Sequence, residues 1–197
     1  METTTKSACV DSVDRDIIKD SIIKNYPKYI EYLESRNYMR ESVTIHENLS
    51  SIVTINNLKS NNEGIVLDIK CPPGIIVSIP GIKSYPEDYN IEYIRPFELK
   101  LASSNGEEID SETQIKILKN KILRKSVEIC NIPYKYVGML DYSESPNRFK
   151  TYSELYRFEY GVELKSEDHL KIYVINPDKD IDIVKFNLGT DFWTPID

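Results

Sequence analysis

Cysteine is scarce in this chain of 197 residues: Cys9, Cys71 and Cys130 form an odd, scattered set without a C-x-x-C pair. They signal neither a disulfide framework nor a zinc site, and read as small buried hydrophobes in a reducing compartment. Histidine occurs only at His46 and His169, and no G-x-S-x-G stands near either, so no nucleophilic triad is legible. The seven glycines are isolated turn residues and build no phosphate-binding loop. No apolar run approaches the ~20 residues that span a bilayer. Met1 to Val13 lacks a basic region followed by an apolar block, so no signal peptide is expected. A formal net charge of −7 argues against a general nucleic-acid binder, which needs Lys and Arg to neutralise phosphates. Alanine appears only at Ala8 and Ala102, and glutamine only at Gln114, a bias that follows AT-rich codons.

What the chain does have is tyrosine and isoleucine. Its 14 tyrosines, against 5 phenylalanines and 1 tryptophan, suit pleated, half-buried surfaces and a mainly β fold. Residues 1–42 read as an N-terminal arm and helical segment, and residues 43–197 as a β-sandwich domain. Ser12 is placed to cap a helix carrying Ile17, Ile18, Ile22 and Ile23 on one face. Pro27 interrupts it and opens a second short helix, with Tyr29, Ile30 and Leu33 on one side, ending near Tyr38. This stripe packs on the body of the protein or docks on a partner subunit, and its residues are the candidate assembly contacts.

From Val43 the texture changes to short apolar runs between turn signals. Strands are expected at Val43–His46, Ile52–Ile55, Gly64–Lys70, Ile75–Ile79, Ile91–Ile94 and Phe97–Leu101. In Gly64–Lys70, Ile65, Leu67 and Ile69 alternate against Val66 and Asp68. Asn105-Gly106 is the strongest local turn signal. Thr113–Ile132 carries both a capping box with a helical stripe (Ile115, Leu118, Ile122, Ile129) and a strand-like alternation. Its neighbours on both sides are strands, which favours two strands hinged near Lys119-Asn120. A loop runs from Ser143 to Tyr152. Strands then follow around Tyr156/Phe158/Tyr160, Val162/Leu164, Leu170–Ile175 and Ile183–Trp193. One apolar and one polar face in these segments means antiparallel sheet with a solvated side.

The run from Arg157 through Gly161 and Ser166-Glu167-Asp168 to Val174 resembles paired strands of jelly-roll sandwiches. Phe97–Leu101, the Asn105-Gly106 turn and the Ile109-Asp110 exit are similar to the same source. The combination, from Val77 to Trp193, resembles structural proteins of tailed viruses, including capsid decoration and auxiliary virion proteins. That resemblance implies an antiparallel jelly-roll-like β-sandwich and a non-enzymatic structural protein. It also implies self-association or other virion subunits as partners, location in a virion after synthesis in the host cytoplasm (otherwise the cytoplasm), and no catalytic residue or cofactor, while the charge and the lack of a long apolar run argue against nucleic acid and membrane as partners. Carbohydrate-binding sandwiches share the alternation, and Tyr85, Tyr89 and Tyr134, with Tyr93 and Tyr136, are the candidate residues for stacking on a sugar. Asp178, Asp180 and Asp182 begin like a calcium loop, but Ile183 and Gly189 occupy the positions that need Gly and Glu. They read as a solvated turn, with a looser calcium site as the alternative.

Overall fold

The computed structural model describes residues 15–120, 126–138 and 155–197. The Met1–Ser12 arm, the Ser12 cap, Cys9, Ile122 and the Ser143–Tyr152 loop lie outside these residues. Twelve strands run β1 (Ile18–Lys19), β2 (Ile22–Ile23), β3 (Tyr38–His46), β4 (Val53–Ile55), β5 (Glu63–Lys70), β6 (Ile76–Ile79), β7 (Phe97–Ala102), β8 (Gln114–Asn120), β9 (Val127–Pro133), β10 (Gly161–Leu164), β11 (His169–Ile175) and β12 (Ile183–Pro195). Residues 15–17 are helical, and a ten-residue helix, here α1 (Tyr26–Ser35), lies between β2 and β3. Sheet A is ordered β1-β2-β10-β6-β12-β3 with β7 also on β12, and sheet B is ordered β4-β5-β11-β8-β9. The paired strands are antiparallel in both sheets. The molecule is a jelly-roll-like sandwich of two sheets with a short helical region at its N-terminal side.

Period-two patterning explains the inner core. Ile115 and Ile117 of β8, Leu170, Ile172 and Val174 of β11, and Val184, Phe186 and Leu188 of β12 are buried together between the sheets. Each such side chain contributes about 1.5–3 kcal/mol by leaving water. The ambiguous 113–132 stretch is two strands, β8 and β9, as the flanking pattern favours. In β5 the alternation breaks: Val66 and Leu67 are both fully buried. The pairing with β11 jumps from Ile172↔Leu67 to Tyr173↔Ile65, so Val66 is the extra residue of a β-bulge and turns inward. Ile65 is left half-exposed.

Three expected elements differ. The Ile17, Ile18, Ile22 and Ile23 stripe is not a helical face. Ile18 and Lys19 pair with Ile23 and Ile22 as a small hairpin, closed by Asp20 and Ser21 at φ 51° and 72°. Two consecutive left-handed residues make the tight turn whose twist matches a hairpin, and β-branched isoleucines suit its strands. Ile91–Tyr93 is a 3-10 turn rather than a strand, because the Asn90 side chain accepts from Glu92 N at its start. Tyr156–Tyr160 joins no ladder; Phe158 makes one isolated parallel bridge to Gly81. There the buried Arg157 donates to the carbonyls of Ile94 (2.7 Å) and Leu155 (3.1 Å), tying the segment to a loop. Tyr156 and Phe158 meanwhile pack their rings on Phe97.

The second helix forms as Pro27 suggests. Asn25 caps it by accepting from Lys28 N at 3.1 Å, Pro27 sits in the first turn, and the helix stops at Ser35. Its buried residues Tyr26, Tyr29 and Leu33 meet Trp193 and Ile23 in a second, smaller core on the outer face of sheet A. That core is polar at its centre. Trp193 Nε1 donates to Ser78 Oγ (2.8 Å), and Tyr26 Oη lies 2.6 Å from both Ser78 Oγ and Asp191 Oδ2. Because the tyrosine proton goes to the carboxylate, Ser78 must donate to Tyr26, which fixes the direction of the whole relay. Arg95 closes it, donating to Asp191 Oδ1 (2.9 Å) and Thr190 O (2.6 Å). Gly189 makes the room: a Cβ there would lie 2.3 Å from Arg95 Cβ. A second buried ion pair, Lys119–Asp168 at 3.1 Å, joins sheet B to the hairpin through a Lys119 bond to Ser21 Oγ.

Removing the anion takes the ion-pair partner from Arg95 and the acceptor from Tyr26, and breaks the ordered chain. Asp191→Ala should cost about 3 kcal/mol, a drop of roughly 6–12 °C in melting temperature, measurable by calorimetry. An unchanged melting temperature would contradict this account. Burial also raises Tyr26 and Tyr29 well above the ordinary 10.0, with Asp191 and Glu163 adding to it, and burial likewise raises Tyr134 and Tyr156. The unfolded chain ionises its phenols near pH 10 while the fold keeps these four neutral, so stability is intact below that pH and falls above it. Phenolate absorbance and circular dichroism followed together into alkali should show these tyrosines ionising only with unfolding. A full tyrosine titration that leaves the fold intact would disprove it.

Candidate functional site

The loop between β6 and β7 builds a cleft on the outer side of sheet A. A 3-10 turn, Ile82–Ser84, starts it, and the Ser84 hydroxyl donates back to Gly81 O (2.6 Å). Ile82 N and Lys83 N donate to Phe158 O and Glu159 O at 2.8 and 2.6 Å, pinning the loop to the 158–160 segment. Gly81 permits this approach, since a Cβ there would lie 2.1 Å from the Tyr160 carbonyl carbon. Between the two segments lies a cavity of about 480 Å³, lined by Ile82, Tyr85, Tyr89, Ile91, Ile94 and Tyr160, with Lys83 and Glu87 also at its wall.

The aromatic rings form a continuous series from the core to this cleft. Trp193 meets Tyr29 edge-on (6.1 Å), Tyr29 meets Tyr26 (5.7 Å), and Tyr26 meets Tyr85 (5.5 Å). Tyr85 stacks on Tyr89 at 4.2 Å, and Tyr89 meets Tyr93 at 6.2 Å. The inner rings are fixed by the buried relay, so the outer rings stand on a rigid base. Tyr93 is 74% exposed and Tyr160 39%. Burial raises the Tyr85 hydroxyl, which stays a neutral hydrogen-bonding group. Lys83 is held by Glu159 at 2.5 Å, and its ammonium lies 5.9 Å from the Tyr160 ring centroid. Flat ring faces with a few polar groups at the wall suit stacking on the apolar face of a ligand.

Of the candidate stacking residues, Tyr85 and Tyr89 share this cleft and Tyr134 does not. Tyr134 is buried in the inner core, where its hydroxyl donates to Glu108 Oε1 (2.9 Å) and accepts from Leu101 N (3.1 Å). Tyr160 and Ile82 complete the wall. Sequence spacing conceals them, because the parallel bridge between Gly81 and Phe158 is what brings residue 160 to the loop.

The candidate assembly contacts are mostly committed to the chain itself. Ile17, Ile23, Tyr29 and Leu33 are buried in the outer core, and Ile18 and Ile30 pack against it half-buried. Ile22, half-buried, pairs with Lys19 and Val162 in sheet A. Ile17, Ile23, Tyr29 and Leu33 thus pack on the body of the protein, while Ile18, Ile22 and Ile30 keep part of their surface exposed. Beside α1 a second cavity of about 400 Å³ is lined by Tyr32, Arg36, Tyr38, Ile76, Glu163 and Lys165 among others.

The three aspartates tie loops together. Asp178 Oδ1 accepts from Asp110 N (2.8 Å), Asp180 Oδ1 from Ser60 N (2.9 Å), and Asp182 Oδ2 from Ser104 N (3.1 Å). The Ser60 amide is the main cause holding Asp180 below the ordinary carboxylate value. Among the described residues no group of three or more His, Cys, Asp or Glu side chains is placed to hold a metal ion. His46 Nδ1 accepts from Asn48 N, while His169 Nδ1 pairs with Asp68 at 2.7 Å on sheet B. Burial pushes the Cys71 thiol up to about 12 and raises Cys130, which keeps both unreactive.

No protein-family model matches the sequence, and no curated protein matches it. Solved structures do. VP17, a capsid protein of bacteriophage P23-77, matches with a TM-score of 0.50 at 7% identity, over 79% of this chain and 96% of that one. The VP16–VP17 complex, a complex of the two major capsid proteins of bacteriophage P23-77, matches with a TM-score of 0.50 at 6% identity, over 78% of this chain and 98% of that one. The likeness is one of fold: the chain has the jelly-roll-like architecture of viral capsid proteins.

Proposed function

We propose that this chain is a non-enzymatic structural protein of a virion, made in the host cytoplasm and assembled in a capsid, decoration or adaptor role. One observation carries the reading. The fold likeness takes in 96% of a capsid protein's length, so it covers that protein's whole sandwich rather than a shared hairpin. The matched VP16–VP17 structure is itself a complex of two capsid proteins, which favours protein subunits as partners here. The buried charges Asp191, Lys119 and Asp168 are held in structural pairs, and the cleft wall is mostly aromatic and aliphatic. Density-gradient fractions of particles from cells carrying this gene, probed with antibody to the chain, should show it co-sedimenting with nucleic-acid-containing particles. Confinement to the unsedimented fraction would refute the reading.

The Tyr85–Tyr89 stack favours a second reading, a sandwich that binds carbohydrate in the cleft. On a glycan array the parent chain should then bind, and Tyr89→Ala and Tyr160→Ala should each weaken binding about two- to tenfold, since one lost ring contact is worth ~0.5–1.5 kcal/mol beyond its buried area. No binding by the parent, or equal binding by the variants, removes this reading.

A further inference from the structure

The five edge strands of the two sheets, β1, β3 and β7 in sheet A and β4 and β9 in sheet B, are unequal. β1 has two residues and β4 three, too short to template another strand. β9 ends in Pro133, and its pairing with β8 carries a register shift at Ile117/Leu118. Short strands, proline and bulges are the devices that blunt an edge. The far side of β7 is occupied: Phe97 N and Leu99 N donate to Tyr156 O and Val137 O, and Ile109 N donates to Leu101 O. Among the described residues β3 alone has none of these protections. It is nine residues long, pairs with β12 without a register shift from Tyr38 to His46, and contains no proline.

The backbone of β3 shows which groups are unpaired. Asn37 O accepts from Ile196 N, and Val43 O accepts from the Thr190 hydroxyl, so the odd-numbered residues turn their amides and carbonyls to β12. His46 O faces the other way and accepts from Leu49 N. The N–H and C=O groups of Tyr38, Arg40, Ser42 and Thr44 therefore point out of sheet A, and Met39 on this strand is 60% exposed. Among the described residues no hydrogen bond covers these outward groups.

We propose that β3 pairs with the β3 of a second copy of this chain, antiparallel about Ser42, joining two copies of sheet A into one continuous sheet. The inference rests on the assembly reading above and supplies its contact. The sequence of the strand selects the partner. A two-fold at Ser42 is the register that matches all nine residues, and it sets Arg40 opposite Thr44 and Glu41 opposite Val43. It also brings the outward-facing groups of Arg40, Ser42 and Thr44 onto one another as hydrogen-bonded pairs. Shifting the register so that residues 40 or 41 lie on the axis places Arg40 opposite Arg40 or Glu41 opposite Glu41, like charges that oppose pairing. The strand is thus complementary to itself, with the uncharged Ser42 meeting Ser42 on the axis.

Sedimentation velocity and light scattering of the full chain at tens of micromolar test this. The parent should run at twice its 22.9 kDa mass. Ser42→Pro removes an outward N–H while sparing those that bond β12, and proline is tolerated on an edge strand facing solvent. It also loses the long Ser42–Asp191 bond, so it should be monomeric and folded with a melting temperature a few degrees below the parent's. Ser42→Cys, in a Cys9→Ser background, should cross-link to itself with a short bis-maleimide, which tests the register even if the proline variant unfolds. A monomeric parent, a dimeric and folded Ser42→Pro variant, or a dimer in which Ser42→Cys does not cross-link each overturns the pairing. Co-sedimentation of a monomeric parent with particles would sink this contact and leave the assembly reading standing. A Ser42-centred dimer absent from particles would do the reverse.

Discussion

A carboxylate buried in the middle of the longest strand organises the outer half of this molecule. Asp191 is 4% exposed, and its charge is offset by Tyr26 on one oxygen and Arg95 on the other, with Ser42 at 3.4 Å. Those partners come from α1, from the loop before β7 and from β3, so one anion fixes where three separate segments lie on sheet A. The relay beyond it has a single direction, from Trp193 through Ser78 to Tyr26. Every buried polar atom in that chain is satisfied, which specifies one packing of the helix against the sheet. The aromatic series toward the cleft inherits this rigidity from its inner rings.

Sheet A is therefore buried on both faces near its C-terminal half, while sheet B keeps a half-solvated side. β12 shows the change along its own length. Val184, Phe186 and Leu188 point between the sheets, Lys185 is exposed, and beyond Gly189 the opposite face carries Asp191 and Trp193 beneath α1. The strand hands over from β7 to β6 at the same place, pairing the first through Leu188 and the second from Asp191. Arg95 occupies that junction, and Gly189 leaves it space. Fold likeness to capsid proteins fixes the sandwich; the cap of helix, loop and aromatic rings on sheet A is built from this chain's own residues.

Much of the architecture is legible because alternation of apolar and polar residues carries direct information about a two-sided strand. β8, β10, β11 and β12 stand where that alternation places them, and Pro27 with Asn25 opens the helix. The departures have specific causes. Ile17, Ile18, Ile22 and Ile23 fit a helical stripe and a hairpin equally, and the left-handed pair Asp20-Ser21 decides it without the Gly or Asn that usually betrays such a turn. Val66 escapes the pattern because a bulge is invisible to strict period two. Tyr156–Tyr160 alternates for packing on Phe97 rather than for a ladder. Half of the cleft is readable, since Tyr85 and Tyr89 are four apart in one loop. Tyr160 arrives from 71 residues beyond Tyr89 by tertiary pairing alone, and Tyr134 is drawn into the core by the acceptor at Glu108.

The place of β12 in sheet A sets the order in which the molecule can be made. It bridges β3, β6 and β7 and carries Asp191 and Trp193, so none of these strands has its principal neighbour until residues 183–195 have been synthesised. During elongation β3 waits with both margins bare for more than a hundred residues of further chain, and α1 has no tryptophan to rest on. Closure of sheet A is a late, long-range event, slow by topology. A nascent chain of this kind runs its greatest risk of misassociation before β12 arrives, through a strand whose outer margin no described residue covers in the finished fold.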